Sequence, residues 1–173
     1  LGYLWAQWRH GKAEKDSSFR VNPAISRIVA YCPELSPQAS ILCLGVRNHH
    51  EADCWRDRGF QNIEAVDLFP RSPGIRRADM HALPYPDSVF DLVTGIHVLE
   101  HAYAADLALA EACRVLRPGG LLYAAWPTGF TPNRCDRVDY GSAALFVARL
   151  PRASWALWEE NGPTESRVLV RVA

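Results

Sequence analysis

The stretch SILCLG at residues 40–45 decides the fold that this sequence predicts. It is a short, uninterrupted apolar run that ends at a glycine, which is typical of a strand buried on both faces of a parallel sheet. Further strands are predicted downstream, at residues 62–67, 75–78, 89–95 and 121–126. Because helical patterns lie between several of these strands, the sequence favours an α/β layer fold with right-handed crossovers.

Helix signals precede and separate the strands. Asn22 and Pro23 predict an N-cap followed by a proline at the first helical position, in a helix that runs to about Cys32. Residues 51–59 predict a short helix that ends at a glycine. Residues 102–116 carry their apolar side chains largely on one side, and the sequence RPGG that follows is expected to stop this helix.

The tail ends in two segments with alternating polarity, at residues 154–159 and 165–172. A turn at residues 161–163 separates them, so we predict an antiparallel hairpin. Residues 142–150 suit either state, although their alanines and leucines favour a helix. The predicted architecture is therefore a doubly wound, seven-stranded, mostly parallel sheet with a C-terminal antiparallel hairpin.

Residues 1–20 differ from the rest of the chain because they are first aromatic and then polar. Tyr3, Trp5 and Trp8 predict an arm or lid, attached to one domain at residues 21–173. The aromatic side chains could cover a site, pack on a second subunit to make a homodimer, or form an ordinary hydrophobic patch.

Composition excludes several classes of protein. The 19 basic and 19 acidic residues balance, so the basic excess of a non-specific nucleic-acid binder is missing. No apolar run reaches the roughly 18 residues of a membrane-spanning helix. The five cysteines are widely spaced and form no C-x-x-C pair, which favours a reducing cytoplasm over a disulfide framework.

Ligands of open α/β sheets bind beyond the C-terminal ends of the strands, so the residues there are candidates for a site. Asp67 lies 22 residues after Gly45, the spacing at which a carboxylate accepts hydrogen bonds from ribose hydroxyls. A solvated carboxylate at a strand end is the alternative. Asp79 could accept from the amine of an adenine, or it could be the N-cap of a short helix at residues 81–83.

Three blocks of sequence together resemble the class I S-adenosylmethionine-dependent methyltransferases. They are DMHALPYPDSVFDLV at residues 79–93, HVLEH at residues 97–101 and EACRVLRPGG at residues 111–120. With ILCLG and AVDLF they cover roughly residues 40–126 in the family's order. The resemblance implies a Rossmann-like methyltransferase fold, S-adenosylmethionine as cofactor, and methyl transfer to a small-molecule acceptor, for example in natural-product or secondary metabolism.

The resemblance also implies roles for individual residues. Gly45 is similar to the first glycine of the cofactor loop, and Asp67 to the acidic residue that holds the ribose, with Leu68 beside the adenine. Asp79 is similar to the acidic residue at the adenine amine, and Met80 would flank the ring.

The glycine loop departs from the family's pattern of an acidic residue followed by G-x-G-x-G. Cys43 stands at the acidic position, Arg47 at the second glycine and His49 at the third. We hypothesise that Arg47 makes a charge-assisted bond to the cofactor's carboxylate, helped by Asn48 or His49. Alternatively, Arg47 pairs with Glu51 at i+4.

Ile96 and His97 would border the methionine part of the cofactor and its methyl group. His97 is the best-placed candidate for a general base, because an imidazole titrates near neutral pH. A pocket-lining or cofactor-contacting histidine is the alternative, and Tyr85, Asp139 and Tyr140 are weaker candidates for the base.

The segment from His97 to His101 also matches H-x-x-E-H, a zinc-binding pattern when it lies on a helix. A strand is predicted just before it, so we expect no metal here. Substrate contacts are expected at residues 127–139.

Two other functional classes compete with a methyltransferase. A non-catalytic domain of the same fold, acting as a binding or regulatory partner, would explain the altered glycine loop. A nicotinamide oxidoreductase would need G-x-G-x-x-G after the first strand, which the sequence lacks.

Overall fold

The computed structural model describes Trp8, residues 18–152 and residues 154–173. These residues form one seven-stranded sheet with the strand order β3-β2-β1-β4-β5-β7-β6. The strands are β1 Ser40–Leu44, β2 Asn62–Asp67, β3 Arg76–Arg77, β4 Phe90–Ile96, β5 Leu116–Pro127, β6 Ser154–Asn161 and β7 Glu165–Val172. Strands β1 to β5 pair in parallel, whereas β7 is antiparallel to both β5 and β6. The predicted sheet and its C-terminal hairpin are confirmed.

Helices cover both faces of the sheet. They are α1 Ser18–Tyr31, α2 His50–Arg56, α3 Ala105–Val115 and α4 Ala143–Ala148, with a 3-10 helix at Leu99–His101. Helices α1 and α2 contribute to one apolar cluster, and α3 and α4 to the other. The sheet is therefore doubly wound, as the sequence predicts.

Strand β1 shows how the sequence builds these two layers. Ile41 and Cys43 belong to the cluster under α1 and α2, whereas Leu42 and Leu44 belong to the cluster under α3 and α4. Successive side chains of a strand point to opposite faces, so a strand between two helical layers must be apolar at every position. Full burial of each of the larger side chains contributes about 2 kcal/mol of transfer free energy.

The predicted start of the first helix is wrong. Helix α1 already includes Ser18, and Pro23 lies inside it rather than at its first position. Proline cannot donate a hydrogen bond to the carbonyl four residues earlier. Buried Val21, Ala24 and Ile25 pack the same part of α1 on the sheet, and this packing offsets the missing bond. Of the expected arm at residues 1–20, Tyr3 and Trp5 lie outside the described residues.

Helix α3 ends just before the sequence RPGG, as predicted, but the predicted start of β5 at residue 121 is wrong. Strand β5 begins at Leu116, directly after the helix, and includes the sequence RPGG. Phe90 is opposite Leu116 but Leu92 is opposite Leu121, so a bulge in β5 accommodates the extra residues. Gly119 has a φ of +78°, which glycine adopts at no steric cost.

Two further observations concern the chain as a whole. All five cysteines are free thiols, four of them buried. None of the helices among the described residues combines the length and apolar character that crossing a bilayer requires.

Candidate functional site

The turn after β1 brings the glycine loop to the C-terminal edge of the sheet. Gly45 has a φ of +71°, and its N–H donates to the carbonyl of Val66 on β2. A Cβ at this position would overlap the side chain of Val98. A glycine is thus required at position 45 for two reasons: the backbone is left-handed, and the segment that follows β4 approaches closely.

Asp67, the last residue of β2, lies beside this turn. Its side chain is only 6% exposed, so it is not the solvated carboxylate of the alternative reading. Oδ1 accepts a hydrogen bond from the Phe69 N–H at 2.6 Å, and Oδ2 lies 3.7 Å from Nε of Arg47. Burial raises the pKa of Asp67, although the Phe69 N–H and the charge of Arg47 act in the opposite direction.

Glu51, the other expected partner of Arg47, turns into the protein instead. Its Oε1 accepts a hydrogen bond from the Thr94 hydroxyl at 2.5 Å, and its side chain is buried. Burial raises the pKa of Glu51. Asn48 uses its side-chain oxygen to accept from the N–H of His50 at 3.2 Å. Arg47 is therefore the loop side chain that reaches Asp67.

Asp79 closes a turn rather than capping a helix. Its Oδ1 accepts from the backbone N–H of His81 at 3.0 Å and contacts the His81 ring, while Tyr103 donates to Oδ2 at 3.2 Å. Burial raises the pKa of Asp79, but the hydrogen bonds from His81 outweigh it and lower the pKa overall. The expected N-cap is wrong, because the backbone continues into an isolated bridge between Asp79 and Ala82.

The apolar candidates lie at the same edge. Leu68, Met80 and Ile96 are all half-buried, and Met80 and Ile96 also pack against the two apolar clusters. Half-exposed apolar side chains beside a buried carboxylate are suited to flank a ligand that has both a flat ring and a sugar.

His97, directly after β4, has an unusual backbone. Its φ of +53° is uncommon for a residue other than glycine, and its N–H donates to the carbonyl of Ala125 at 2.9 Å. Nε2 lies 3.0 Å from Oε1 of Glu165, and Nδ1 lies 3.6 Å from Oε1 of Glu100. Burial lowers the pKa of His97, but the two carboxylates raise it overall.

Sequence reasoning missed Glu165, the first residue of β7. Burial raises the pKa of Glu165, but hydrogen bonds from His97 and Arg167 lower it to about 2. The sequence pointed to Glu165 only indirectly, through its position in the hairpin. In the hairpin register Glu165 is opposite Pro127, at the C-terminal end of β5. A polar residue at the start of the last strand of a predicted antiparallel pair is therefore a candidate for this edge.

The H-x-x-E-H residues do not converge. His97 faces Glu165, whereas Nδ1 of His101 lies 3.0 Å from the carbonyl oxygen of Cys135 and 3.2 Å from Asp136. The segment forms a 3-10 turn, in which residues i and i+4 do not share one face as they do in an α-helix. In the part of the chain that the structure describes, no three His, Cys, Asp or Glu side chains are grouped to hold a metal ion.

The weaker candidates for a base have structural partners. Tyr140 is buried and donates to the carbonyl of Leu99 at 3.1 Å. Asp139 accepts from the N–H groups of Gly129 and Gly141, both at 2.8 Å. Tyr85 donates to Glu64 at 3.2 Å. These hydrogen bonds leave His97 as the base candidate at the edge.

Comparisons with known proteins find similarity to methyltransferases. Residues 42–124 match a family described as methyltransferase domain. A segment of 45 residues is 53% identical to a ubiquinone/menaquinone biosynthesis C-methyltransferase from Laribacter hongkongensis and covers 26% of this chain and 18% of that enzyme.

Solved structures resemble nearly the whole chain. A candidate sarcosine dimethylglycine methyltransferase from Galdieria sulphuraria superposes with a TM-score of 0.76 at 14% identity, over 89% of this chain and 85% of that one. The 1,6-didemethyltoxoflavin-N1-methyltransferase from Burkholderia thailandensis, solved with S-adenosylhomocysteine, has a TM-score of 0.66 at 14% identity, over 99% of this chain and 85% of that one.

The seven-stranded sheet has the fold of the solved methyltransferases, and residues 42–124 are similar to a methyltransferase domain. The resemblance found in the sequence is confirmed. The matched segments span only about a fifth of the first curated relatives, between 18% and 24% of their length.

Proposed function

We propose that this chain transfers a methyl group from S-adenosylmethionine to a small-molecule acceptor, in natural-product or secondary metabolism. The observation that carries the proposal is Asp67, a buried carboxylate beside the left-handed turn at Gly45. Its Oδ2 lies 3.7 Å from Arg47, which is longer than a hydrogen bond, so this oxygen can still accept from a ribose hydroxyl. The half-buried Leu68 and Met80 fit the flanks of an adenine.

Arg47 has a second role in this proposal. Its side chain is 26% exposed, and its single contact with Asp67 is long, so the guanidinium can leave Asp67 at little cost. A bound cofactor presents a carboxylate near this loop, and Arg47 is placed to bind it with a charge-assisted hydrogen bond. Asn48 keeps its NH2 group for the same ligand, because its oxygen already caps the next turn.

When bound, the cofactor supplies a methyl group that its sulfonium activates for in-line displacement. The chain's own residues then have to bind the cofactor, orient the acceptor and remove the acceptor's proton. Asp79 has two oxygens that accept three donors from His81 and Tyr103, which leaves capacity for an adenine amine. His97 would take the proton of an acceptor that arrives protonated.

The experiment is a calorimetric titration of the purified protein with S-adenosylmethionine and S-adenosylhomocysteine. We expect both to bind, and we expect Asp67→Asn to weaken binding at least about tenfold, or about 1.4 kcal/mol. Glu64→Gln is the matched control, because Glu64 lies on the same strand, is exposed, and should leave the affinity unchanged. If Asp67→Asn bound the cofactor with the same affinity as the wild type, the assignment of the ribose site would be overturned.

The acceptor class needs a transfer assay. Tritium-labelled S-adenosylmethionine is incubated with a cell extract separated by ultrafiltration, with Asp67→Asn as negative control. Label in a low-mass product that is chromatographically distinct from S-adenosylmethionine supports a small-molecule acceptor, whereas labelled product confined to the retained macromolecules contradicts it.

A non-catalytic role is the second candidate, and the altered glycine loop favours it, because Arg47 and His49 stand where the family's pattern has glycines. Wild-type protein that binds neither ligand at millimolar concentration would establish this candidate over the enzyme.

A further inference from the structure

Glu165, the first residue of β7, contacts His97 at the C-terminal edge of the parallel strands. The two residues are 68 positions apart in the chain, yet Nε2 of His97 is 3.0 Å from Oε1 of Glu165. The hairpin produces this contact, because its register puts Glu165 opposite Pro127 at the end of β5. The backbone of His97 is held at the same edge by its hydrogen bond to Ala125.

The contact assigns different roles to the two ring nitrogens. A neutral imidazole has one N–H donor and one acceptor, and a carboxylate can only accept. The nitrogen that faces Glu165 must therefore carry the proton. Nδ1 is 3.6 Å from Oε1 of Glu100, close enough for an ion pair but too long for a hydrogen bond, so its lone pair is available.

We propose that Glu165 is the positioning residue of His97: its carboxylate accepts the Nε2 proton and leaves Nδ1 as the nitrogen that takes a proton from the methyl acceptor. The proton leaves the acceptor atom for Nδ1, and its electron pair stays on that atom. The imidazolium that results lies between two carboxylates. This inference rests on the proposed function only in making His97 the base.

The surroundings keep the proton on the ring. Arg167 binds Glu165 through two hydrogen bonds, Nε to Oε1 at 2.9 Å and Nη2 to Oε2 at 3.0 Å. These bonds help to lower the pKa of Glu165 to about 2, so Glu165 does not take the proton from the imidazolium. The charge of Arg20 on α1 lowers the pKa of His97, but the two carboxylates outweigh it, and the pKa is raised overall.

The carboxylate of Glu100, which faces Nδ1, has a second oxygen. Oε2 of Glu100 is buried and has no hydrogen-bond partner among the residues that the structure describes, although Glu100 is only 2% exposed. An unpaired buried carboxylate oxygen is costly, so a donor is expected there when the site is filled. A donor group of the bound acceptor, other than the one that loses its proton to Nδ1, would satisfy it.

The test is a ¹⁵N NMR titration of the histidine rings, which needs neither cofactor nor acceptor. In the wild type we expect His97 to be protonated at Nε2 when neutral, with a pKa above the ordinary value. Glu165→Gln should lower the pKa of His97 by about one unit, because an opposite charge in contact is removed. Glu165→Asp keeps the charge and should restore most of the shift.

Glu160→Gln is the matched control. Glu160 binds the same Arg167, Oε2 to Nη1 at 3.0 Å, but lies on the exposed side of β6 away from His97. The His97 titration should not change in this variant. An unchanged His97 pKa in Glu165→Gln would overturn the inference.

The tautomer of His97 in the wild-type protein is a test that needs no variant. If Glu165→Gln does not fold, a wild-type ring protonated at Nδ1 in its neutral form would still contradict the proposal. Failure of S-adenosylmethionine to bind would overturn the proposed function alone, since the tautomer is measured without it.

Discussion

Two strand ends in this domain each pair a basic side chain with a carboxylate from another strand, but the pairs differ in geometry. At the end of β1, Arg47 lies 3.7 Å from Asp67 through one contact of a half-exposed side chain. After β4, His97 lies 3.0 Å from Glu165, and Arg167 holds that carboxylate with two hydrogen bonds. The first pair can exchange partners when a ligand arrives, whereas the second fixes the direction of a ring.

The largest effect is expected at Gly45, where the two regions touch. Gly45→Ala should lower the free energy of unfolding by about 3 kcal/mol, because a methyl group meets Val98 and the φ is left-handed. Urea unfolding measures the change. Gly59→Ala separates the two causes, since Gly59 has a φ of +88° but open space around it; it should cost only about 1 kcal/mol. Equal losses would show that the contact with Val98 is unimportant.

A smaller effect is expected at the tight pair and depends on pH. The surroundings of Glu165 lower its pKa from an ordinary value of 4.5 to about 2 in the folded protein. A lowered pKa stabilises the folded state above the unfolded value, and that contribution is lost as the pH falls from 4.5 towards 2. Glu165→Gln should therefore cost about 2 kcal/mol near neutral pH and progressively less below pH 4.5, measured by urea unfolding. A constant difference across this range would show that the charge of Glu165 is irrelevant.

The smallest change in stability is expected at the loose pair. Arg47→Ala should change the free energy of unfolding by less than about 1 kcal/mol, because the side chain is partly exposed and its contact is long. Its affinity for S-adenosylmethionine should nevertheless fall about tenfold, since a charge-assisted bond to the cofactor is lost. Calorimetry on the same sample separates the two effects. An unchanged affinity would leave Arg47 as a partner of Asp67 only.

Much of this domain follows from local sequence patterns. The apolar run at residues 40–45 predicts β1, and residues 62–67 predict β2 with its actual bounds. The spacing from Gly45 to Asp67 puts a carboxylate at the correct edge of the sheet. These predictions succeed because burial on two faces and the placement of strand ends depend only on residues close together in the chain.

Predictions at the boundaries of elements were less successful. Pro23 was expected to start α1 but lies within it, and β5 was expected to start at residue 121 but already begins at Leu116. In both places packing against the sheet overrides a local preference of proline or glycine, because the tertiary contacts of the surrounding apolar residues contribute more free energy than one backbone hydrogen bond.

By itself, the sequence determined the parallel sheet, its closing hairpin and the edge at which the candidate residues lie, since apolar periodicity and turn residues act over short distances. Only the tertiary structure decided which charges meet there. Arg47 was open to Glu51 or to a ligand, and lies against Asp67. Glu165 lies beside His97 because strand order and register bring together residues that are far apart in the chain, and no local pattern records such a contact.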